Sequence, residues 1–384
     1  MKFAQNRSLR KIICTVTNDL TYDQRMIRIC TSLTQEGYQV SLVGFSLKKS
    51  LPIKNQPFTQ KRLFCFFKKG PLFYIEYNIR LFFYLWIKQA DCLCAIDLDT
   101  ILPVLLVSKL KKTKRVYDAH ELFCEMKEIV TRPSRYKFWK RIEQLAVPQF
   151  PKGYTVCTPI AEEFKRIYGV NYEVIRNVPF LKSNEQHQAT IPDAQKVLRD
   201  RLQESRHFIY QGAVNQGRSF ETLIPAMKNT SAQMIIVGDG NYFEQTKALI
   251  AKHKLEQKVI LTGKLQPEVL HQLSPLAFAG LTLFENNGLS NYYSLANRFF
   301  DYIHAGIPQI CVNYPAYQAI NAQYDIAIMI EDTNTNSIVE GMQELLSNPE
   351  RYQQLKSNCL IAQQSLNWQV EQKKLSQFYA SVFG

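Results

Sequence analysis

Asp118-Ala-His120-Glu121 follows Arg115–Asp118, a run that reads as a buried strand, so the three ionisable side chains stand at a strand's carboxyl end. Carboxylates beside an imidazole orient the ring and let it polarise a hydroxyl. His120, Glu121 and Asp118 are therefore the candidate catalytic group. An earlier turn, Thr17-Asn18-Asp19-Leu20-Thr21-Tyr22-Asp23-Gln24-Arg25, also joins a strand to a helix. Asn18, Asp19, Asp23 and Arg25 face the same edge in that reading, although Asp23 can simply complement a helix dipole and Arg25 can lie on a solvated face. Asp97-Leu-Asp99 ends a further strand. It has the spacing of a paired metal-binding carboxylate, but capping of a helix by Asp99 accounts for it, and no metal is expected.

The second half carries a different chemistry. Gly212-Ala-Val-Asn215-Gln-Gly-Arg218-Ser219 leaves a strand and opens a helix. Its spacing is that of a nucleoside-triphosphate loop, with Arg218 where that loop has lysine. A forked guanidinium and a compact ammonium are not interchangeable, so the loop reads as phosphate-binding without being a triphosphatase loop. Its glycines let backbone amides approach phosphate, and a cation at a helix start neutralises it. Gly238-Asp-Gly240 and Gly263-Lys264 end the next two strands. Each can be a plain turn, or Gly238 and Lys264 can add to the phosphate site. The richest stretch runs from Glu285 to Pro308. A polar loop precedes Ser294, a credible N-cap, and Leu295–Ala305 reads as a helix closed by Gly306. Asp301, two turns in, is placed to accept both hydroxyls of a ribose. Phe299, Phe300 and Ile303 read as core, and His304 as a favourable C-terminal charge or a packed residue.

The elements that must hold these residues follow a repeating grammar. Lys11–Val16, Asp23–Glu36 and Gln39–Gly44 make a strand, helix and strand, which implies a parallel sheet. Strands follow at Cys92–Ile96, Arg115–Asp118, Tyr154–Cys157 and Tyr172–Ile175. A linker near Pro179, polar through Ala194, separates them from a second series at 207–211, 233–237, 258–262, 277–284 and 308–312. The fold class is α/β, two doubly wound Rossmann-like sheets: an N-terminal domain over 1–180, a C-terminal domain over 181–365 and a final amphipathic helix over 366–384. Such sheets bind ligands outside the carboxyl ends of their strands. The first turn lacks a G-x-G-x-x-G fingerprint, which argues against a dinucleotide enzyme.

Length and charge agree. The 384 residues exceed one hydrophobic core. The nine cysteines form no C-x-x-C pair and read as small buried hydrophobes in a reducing cytoplasm. The net charge of +14 calls for an anionic partner. Basic residues flank an aromatic stretch from Phe64 to Lys88, whose longest apolar run is too short to span a bilayer. It suits the surface of an anionic membrane, or else a core helix with snorkelling ends. Nucleic acid is not expected, because the aromatics gather in one amphipathic stretch and not along a basic groove.

Taken together these motifs resemble the GT-B-fold glycosyltransferases, specifically the retaining, family-4-like group related to bacterial cell-surface polysaccharide synthesis. The resemblance covers nearly the whole chain and is most specific at Asn297-Arg-Phe-Phe-Asp301-Tyr-Ile-His-Ala-Gly-Ile-Pro308. It implies a nucleotide diphosphate-sugar donor, no cofactor and no obligatory metal. The acceptor would be a glycan, lipid-linked at the inner membrane face. Arg218 and Lys264 then grip the diphosphate, Asp301 holds the ribose, and His120 stands near the transferring sugar. The final helix would cross back to the first domain. Two positions depart from the pattern: Tyr293 stands where the family's first glutamate is expected, and Ala213 follows Gly212 in place of arginine. Glu285 or the amides around Asn287, Gly288, Leu289, Ser290 and Ser294, with Asn297 at the helix start, would fill that gap. Two other readings share the residues: a nucleotide-sugar epimerase of the same fold, and a non-catalytic basic membrane-binding module.

Overall fold

The computed structural model describes residues 9–21, 23–48, 50–181 and 193–384. The chain forms two compact units: residues up to Asn177 together with Glu371–Gly384, and Val178–Val370. Most of the polar stretch read as a linker lies outside the described residues.

The first unit is built on a seven-stranded parallel sheet of β1 (Lys11–Thr15), β2 (Gln39–Phe45), β3 (Thr59–Leu63), β4 (Cys92–Ile96), β5 (Lys114–Ala119), β6 (Gly153–Thr155) and β7 (Glu173–Val174). Their order is β3-β2-β1-β4-β5-β6-β7. The chain runs outward from β1 to β3 and returns to β4 on the other side, so the topological switch point falls between β1 and β4. Register then sets the site. Thr15 pairs with Ala95, and Ile96 with Asp118, which brings the ends of β1, β4 and β5 together. β3 was not anticipated: Thr-Gln-Lys-Arg-Leu is a half-exposed edge strand with little of the apolar pattern by which buried strands are read.

The second unit repeats the plan with β8 (His207–Gln211), β9 (Gln233–Val237), β10 (Val259–Gly263), β11 (Ala279–Thr282), β12 (Gln309–Val312) and β13 (Ala327–Ile330), ordered β10-β9-β8-β11-β12-β13. Its switch point lies between β8 and β11. β8 and β11 are buried along their whole length, as strands covered on both faces must be.

Helix Pro71–Ile87 buries Phe73, Tyr77, Leu81 and Leu85, one face at four-residue spacing. The Tyr77 hydroxyl donates to the Val16 carbonyl at 2.5 Å, which ties this helix to the end of β1. Its other face leaves Leu72, Ile75, Ile79, Phe83 and Trp86 46–58% exposed. The stretch is thus both a core helix and an apolar outer stripe. Among the described residues no helix is long and apolar enough to cross a membrane. The final helix, Trp368–Phe383, joins the first unit from Glu371 onward. There the buried Glu371 carboxylate accepts from the Arg176 backbone at 2.9 Å, and Phe383 stacks on Tyr38. All nine cysteines are buried, as read from the sequence.

Candidate active site

In the first unit the strand ends carry a connected set of charges. Arg25, on the first helix, is buried at 3% exposure and neither reaches out nor lies on a solvated face. It donates to Asp118 Oδ1 at 2.9 Å and to the Ile175 carbonyl at 3.1 Å. The second oxygen of Asp118 faces His120 Nε2 at 3.2 Å, and Asp97 Oδ2 faces His120 Nδ1 at 3.4 Å. Asp97 Oδ1 also accepts from the His120 backbone N–H at 2.8 Å. Imidazole is thus held between two carboxylates. Burial alone lowers the His120 pKa, but Asp97 and then Asp118 outweigh it and raise it to about 9. The ring is therefore an imidazolium at neutral pH. Asp118, although buried, is held below the usual carboxylate range by Arg25 and His120. Glu121 follows, half-buried.

Asp99 does not cap a helix. Its Oδ2 accepts from the Thr17 hydroxyl, and no side chain caps the helix that follows. Burial and the neighbouring Asp97 push its pKa up to about 7. The turn after β1 is braced internally. Asp23 is the N-cap, accepting from Met26 N–H, and Asn18 donates to Asp23 at 2.6 Å. Asp19 accepts from Thr21 N–H and the Ser50 hydroxyl. Asn18, Asp19 and Asp23 therefore shape the loop beside the charged cluster.

In the second unit the glycine turn packs against its neighbour. Gly238 (φ 152°) lies so close to Gly212 (φ 125°) that a Cβ at 238 would collide with the Gly212 carbonyl oxygen. Several loop amides serve this packing. Gly212 N–H donates to Val237, Val214 N–H to Asp239 and Gly238 N–H to Gly263, while Asn215 Oδ1 accepts from Asn241. Gly212, Asn215 and Gly238 thus form the bed of the loop, and the amides of Gly212 and Gly238 are taken by neighbouring carbonyls. Arg218 rises from that bed. Its guanidinium sits 4.2 Å from the Phe284 ring centroid and donates to Asn291 Oδ1 at 3.2 Å. Lys264, after β10, is exposed.

The loop after β11 folds differently from the expectation. Leu289–Tyr292 is a single helical turn introduced by Gly288, and the long helix spans Asn297–Ala305 with Ala296 at its N-cap. Ser294 caps nothing. Its hydroxyl instead donates back to the Asn291 carbonyl of that short turn, and the long helix begins three residues later, behind Ala296. Asn287 bridges the Glu285 carboxylate and Asn291 Nδ2. Ser290 is buried, while Leu289 is exposed. Asn297 opens the long helix, and Phe299, Phe300 and Ile303 are core. His304 Nε2 meets the Leu366 carbonyl at 2.8 Å, a packed residue. Asp301 accepts from Gln211 Nε2 at 3.0 Å and lines a cavity of about 320 Å³ with His271, Ser274 and His304. Gln211, which also accepts from Ser274, had no signal in the sequence, and neither had Asn291 as the partner of Arg218.

Residues 199–359, within the second unit, match the sequence family of glycosyl transferases group 1. No curated protein matches the chain closely enough to stand as a relative. Among solved structures the chain is similar to sucrose-phosphate synthase (tll1590) from Thermosynechococcus elongatus, with a TM-score of 0.75 at 16% identity, covering 97% of this chain and 99% of that one. It is similar to Anabaena Alr3699/HepE in complex with UDP-glucose, with a TM-score of 0.73 at 11% identity over 97% and 99%. It is also similar to WaaG, a glycosyltransferase involved in lipopolysaccharide biosynthesis, with a TM-score of 0.73 at 14% identity over 96% and 99%.

Proposed function

We propose that this chain, whose residues 199–359 match the glycosyl transferases group 1 and whose two-sheet fold is shared with solved glycosyltransferases, moves a sugar from a nucleotide diphosphate donor to a hydroxyl of a lipid-linked glycan at the inner membrane face, with retention of configuration. The observation that carries this reading is Arg218, braced between Phe284 and Asn291 above the packed Gly212–Gly238 turns, inside the family-matched segment. Arg218 and Lys264 would meet the charge that develops on the departing diphosphate, a fixed electrostatic role that needs no metal. Asp301 would take the ribose hydroxyls at the mouth of its cavity. His120, whose two ring nitrogens both face carboxylates, would act through its positive charge beside the transferring sugar, with no ring N–H left to donate to it. In the transfer, the bond from the anomeric carbon to the diphosphate breaks and the acceptor oxygen replaces it, its proton leaving with the diphosphate. The fold relatives support this setting: HepE was solved with UDP-glucose, and WaaG is involved in lipopolysaccharide biosynthesis.

The membrane part rests on the outer stripe of helix Pro71–Ile87. Phe64, Phe66 and Phe67 lie beside it in sequence and are 48–73% exposed, with Lys68 and Lys69 next to them and Lys88 at the helix end. Exposed aromatics among lysines suit an anionic interface.

The test is incubation of the purified chain with a panel of radiolabelled sugar nucleotides and isolated bacterial membranes. Label extractable with lipid is expected from one donor, and the Ile79→Ser/Phe83→Ser double variant should transfer less of it. Donor consumption without any acceptor would favour the epimerase, and no consumption of any donor would overturn the reading.

A further inference from the structure

Arg298 has no role in the sequence reading, yet it is the most unusual charge in the second unit. It is the second residue of helix Asn297–Ala305 and is 7% exposed. Its guanidinium carbon lies 4.2 Å from the Tyr210 ring centroid and 4.9 Å from that of Phe284. Its Nη1 is buried and has no hydrogen-bond partner. Among the described residues no carboxylate forms an ion pair with it.

Three physical arguments make this arrangement incomplete as it stands. A buried cation without a counter-ion is strongly unfavourable, because burial removes its hydration and the neutral Tyr210 hydroxyl replaces it only in part. Ring faces return part of that loss but supply no opposite charge. The first turn of a helix is also the wrong end for a cation, since the macrodipole is positive there. The position becomes favourable when an anion enters.

The surroundings say which anion. A Cβ built on Gly212 would stand 3.9 Å from the Arg298 guanidinium carbon, so the glycine turn that closes β8 borders the group directly. Arg218 rests on the same Phe284 ring, at 4.2 Å. Two guanidinium groups share one phenyl ring, between a glycine turn and the start of a helix. That spacing of charge fits two linked phosphates better than a single carboxylate. We propose that Arg298 is a diphosphate ligand, which with Arg218 clamps the phosphate pair of the donor over Gly212. The assignment rests on the donor reading above and adds to it the residue that supplies the second fork.

The experiment uses the full chain, calorimetric titration and thermal melting. The probes are uridine, guanosine, adenosine and thymidine diphosphates, their nucleosides, and inorganic pyrophosphate. Whichever diphosphate the wild type binds, Arg298→Met should bind it roughly ten- to a hundredfold more weakly. Affinity for the matching nucleoside should stay unchanged, and the melting temperature without ligand should be equal or higher. Equal diphosphate affinity in wild type and variant would overturn the role of Arg298 and leave the donor site standing. A lowered melting temperature with unchanged affinity would do the same, marking the residue as structural. Failure of the wild type to bind any of the diphosphates would remove the donor reading and this one with it. Should Arg298→Met not fold, Arg298→Lys decides: it keeps the charge but loses the fork, so a severalfold loss supports the assignment and undiminished affinity overturns it.

Discussion

Arg25 in the first unit and Arg298 in the second are buried to nearly the same degree, 3% and 7% exposed, and each sits beside strand ends of its own sheet. Their surroundings differ in kind. Arg25 faces Asp118 at 2.9 Å, and the charge continues through His120 to Asp97. Arg298 faces two aromatic rings. One unit has neutralised its cation with its own side chains, which fixes the position and protonation of an imidazole. The other holds a cation that no carboxylate among the described residues neutralises, which is the condition for attracting a ligand. A neutral network orients, and a charged one binds.

The largest expected difference between the two arginines is in stability, read by removing each in turn. Arg25→Met leaves the fully buried Asp118 with His120 alone, and uncompensated buried charge of this kind costs about 3–5 kcal/mol. Urea unfolding should show that loss, set against no loss in Arg298→Met. A penalty in Arg25→Met below about 1 kcal/mol would erase the distinction between the two sites.

The next effect is pH dependence, which should be confined to the first unit. The folded pKa of His120, about 9, lies above the ordinary value near 6.5, so the folded state binds the proton more tightly. Its stabilisation is fully present below pH about 6.5 and is lost as pH rises through about 9, a change of about 2–3 kcal/mol. Asp99, raised to about 7, acts in the same direction over a lower window, from its ordinary value near 4 up to about 7. Unfolding measured across pH should therefore decline in two stages. His120→Gln should flatten the upper stage only, and Asp99→Asn the lower only. An upper stage that survives in His120→Gln would mean the imidazole is not the group responsible.

Much of this architecture was legible because it is local. Asp23 announced the start of its helix and Gly306, at φ 66°, the end of another. The alternation of apolar strands with periodic helices gave two parallel sheets, with His120 and Arg218 near strand ends and Asp301 within a helix. What escaped was set by packing between distant segments. The partner of Arg25 is 93 residues away, and Gln211 meets Asp301 across 90. No spacing rule could show that Arg298, between Asn297 and Phe299, turns inward onto Tyr210. Ser294 was misread for a related reason. Its hydroxyl turns back onto the preceding turn at Leu289–Tyr292, and the helix starts at Asn297 behind the uncapping Ala296, a boundary no N-cap residue marks. The outer stripe of Pro71–Ile87 was visible as composition, but which of its aromatics face outward depended on what the other side covers.

The smallest effect lies in the second unit, at the residue that holds Arg218 from the side. Asn291 accepts from Arg218 Nη1 at 3.2 Å and donates to Asn287 Oδ1 at 2.7 Å and to the Glu285 carbonyl at 3.3 Å. It is the polar link between the glycine loop and the loop after β11. Asn291→Ala removes that link while leaving Phe284 beneath the guanidinium, so Arg218 keeps its stacking and loses its lateral hold. One hydrogen bond to a charged group amounts to about 1.5 kcal/mol at the weak end of its range, which corresponds to roughly a tenfold weaker diphosphate titration. The cost to unfolding stability should be no larger, because the loop is partly solvated. If the variant binds diphosphate as the wild type does, ring stacking alone positions Arg218. The second unit would then present its cations on aromatic surfaces only, with no hydrogen-bonded framework like the one that holds His120.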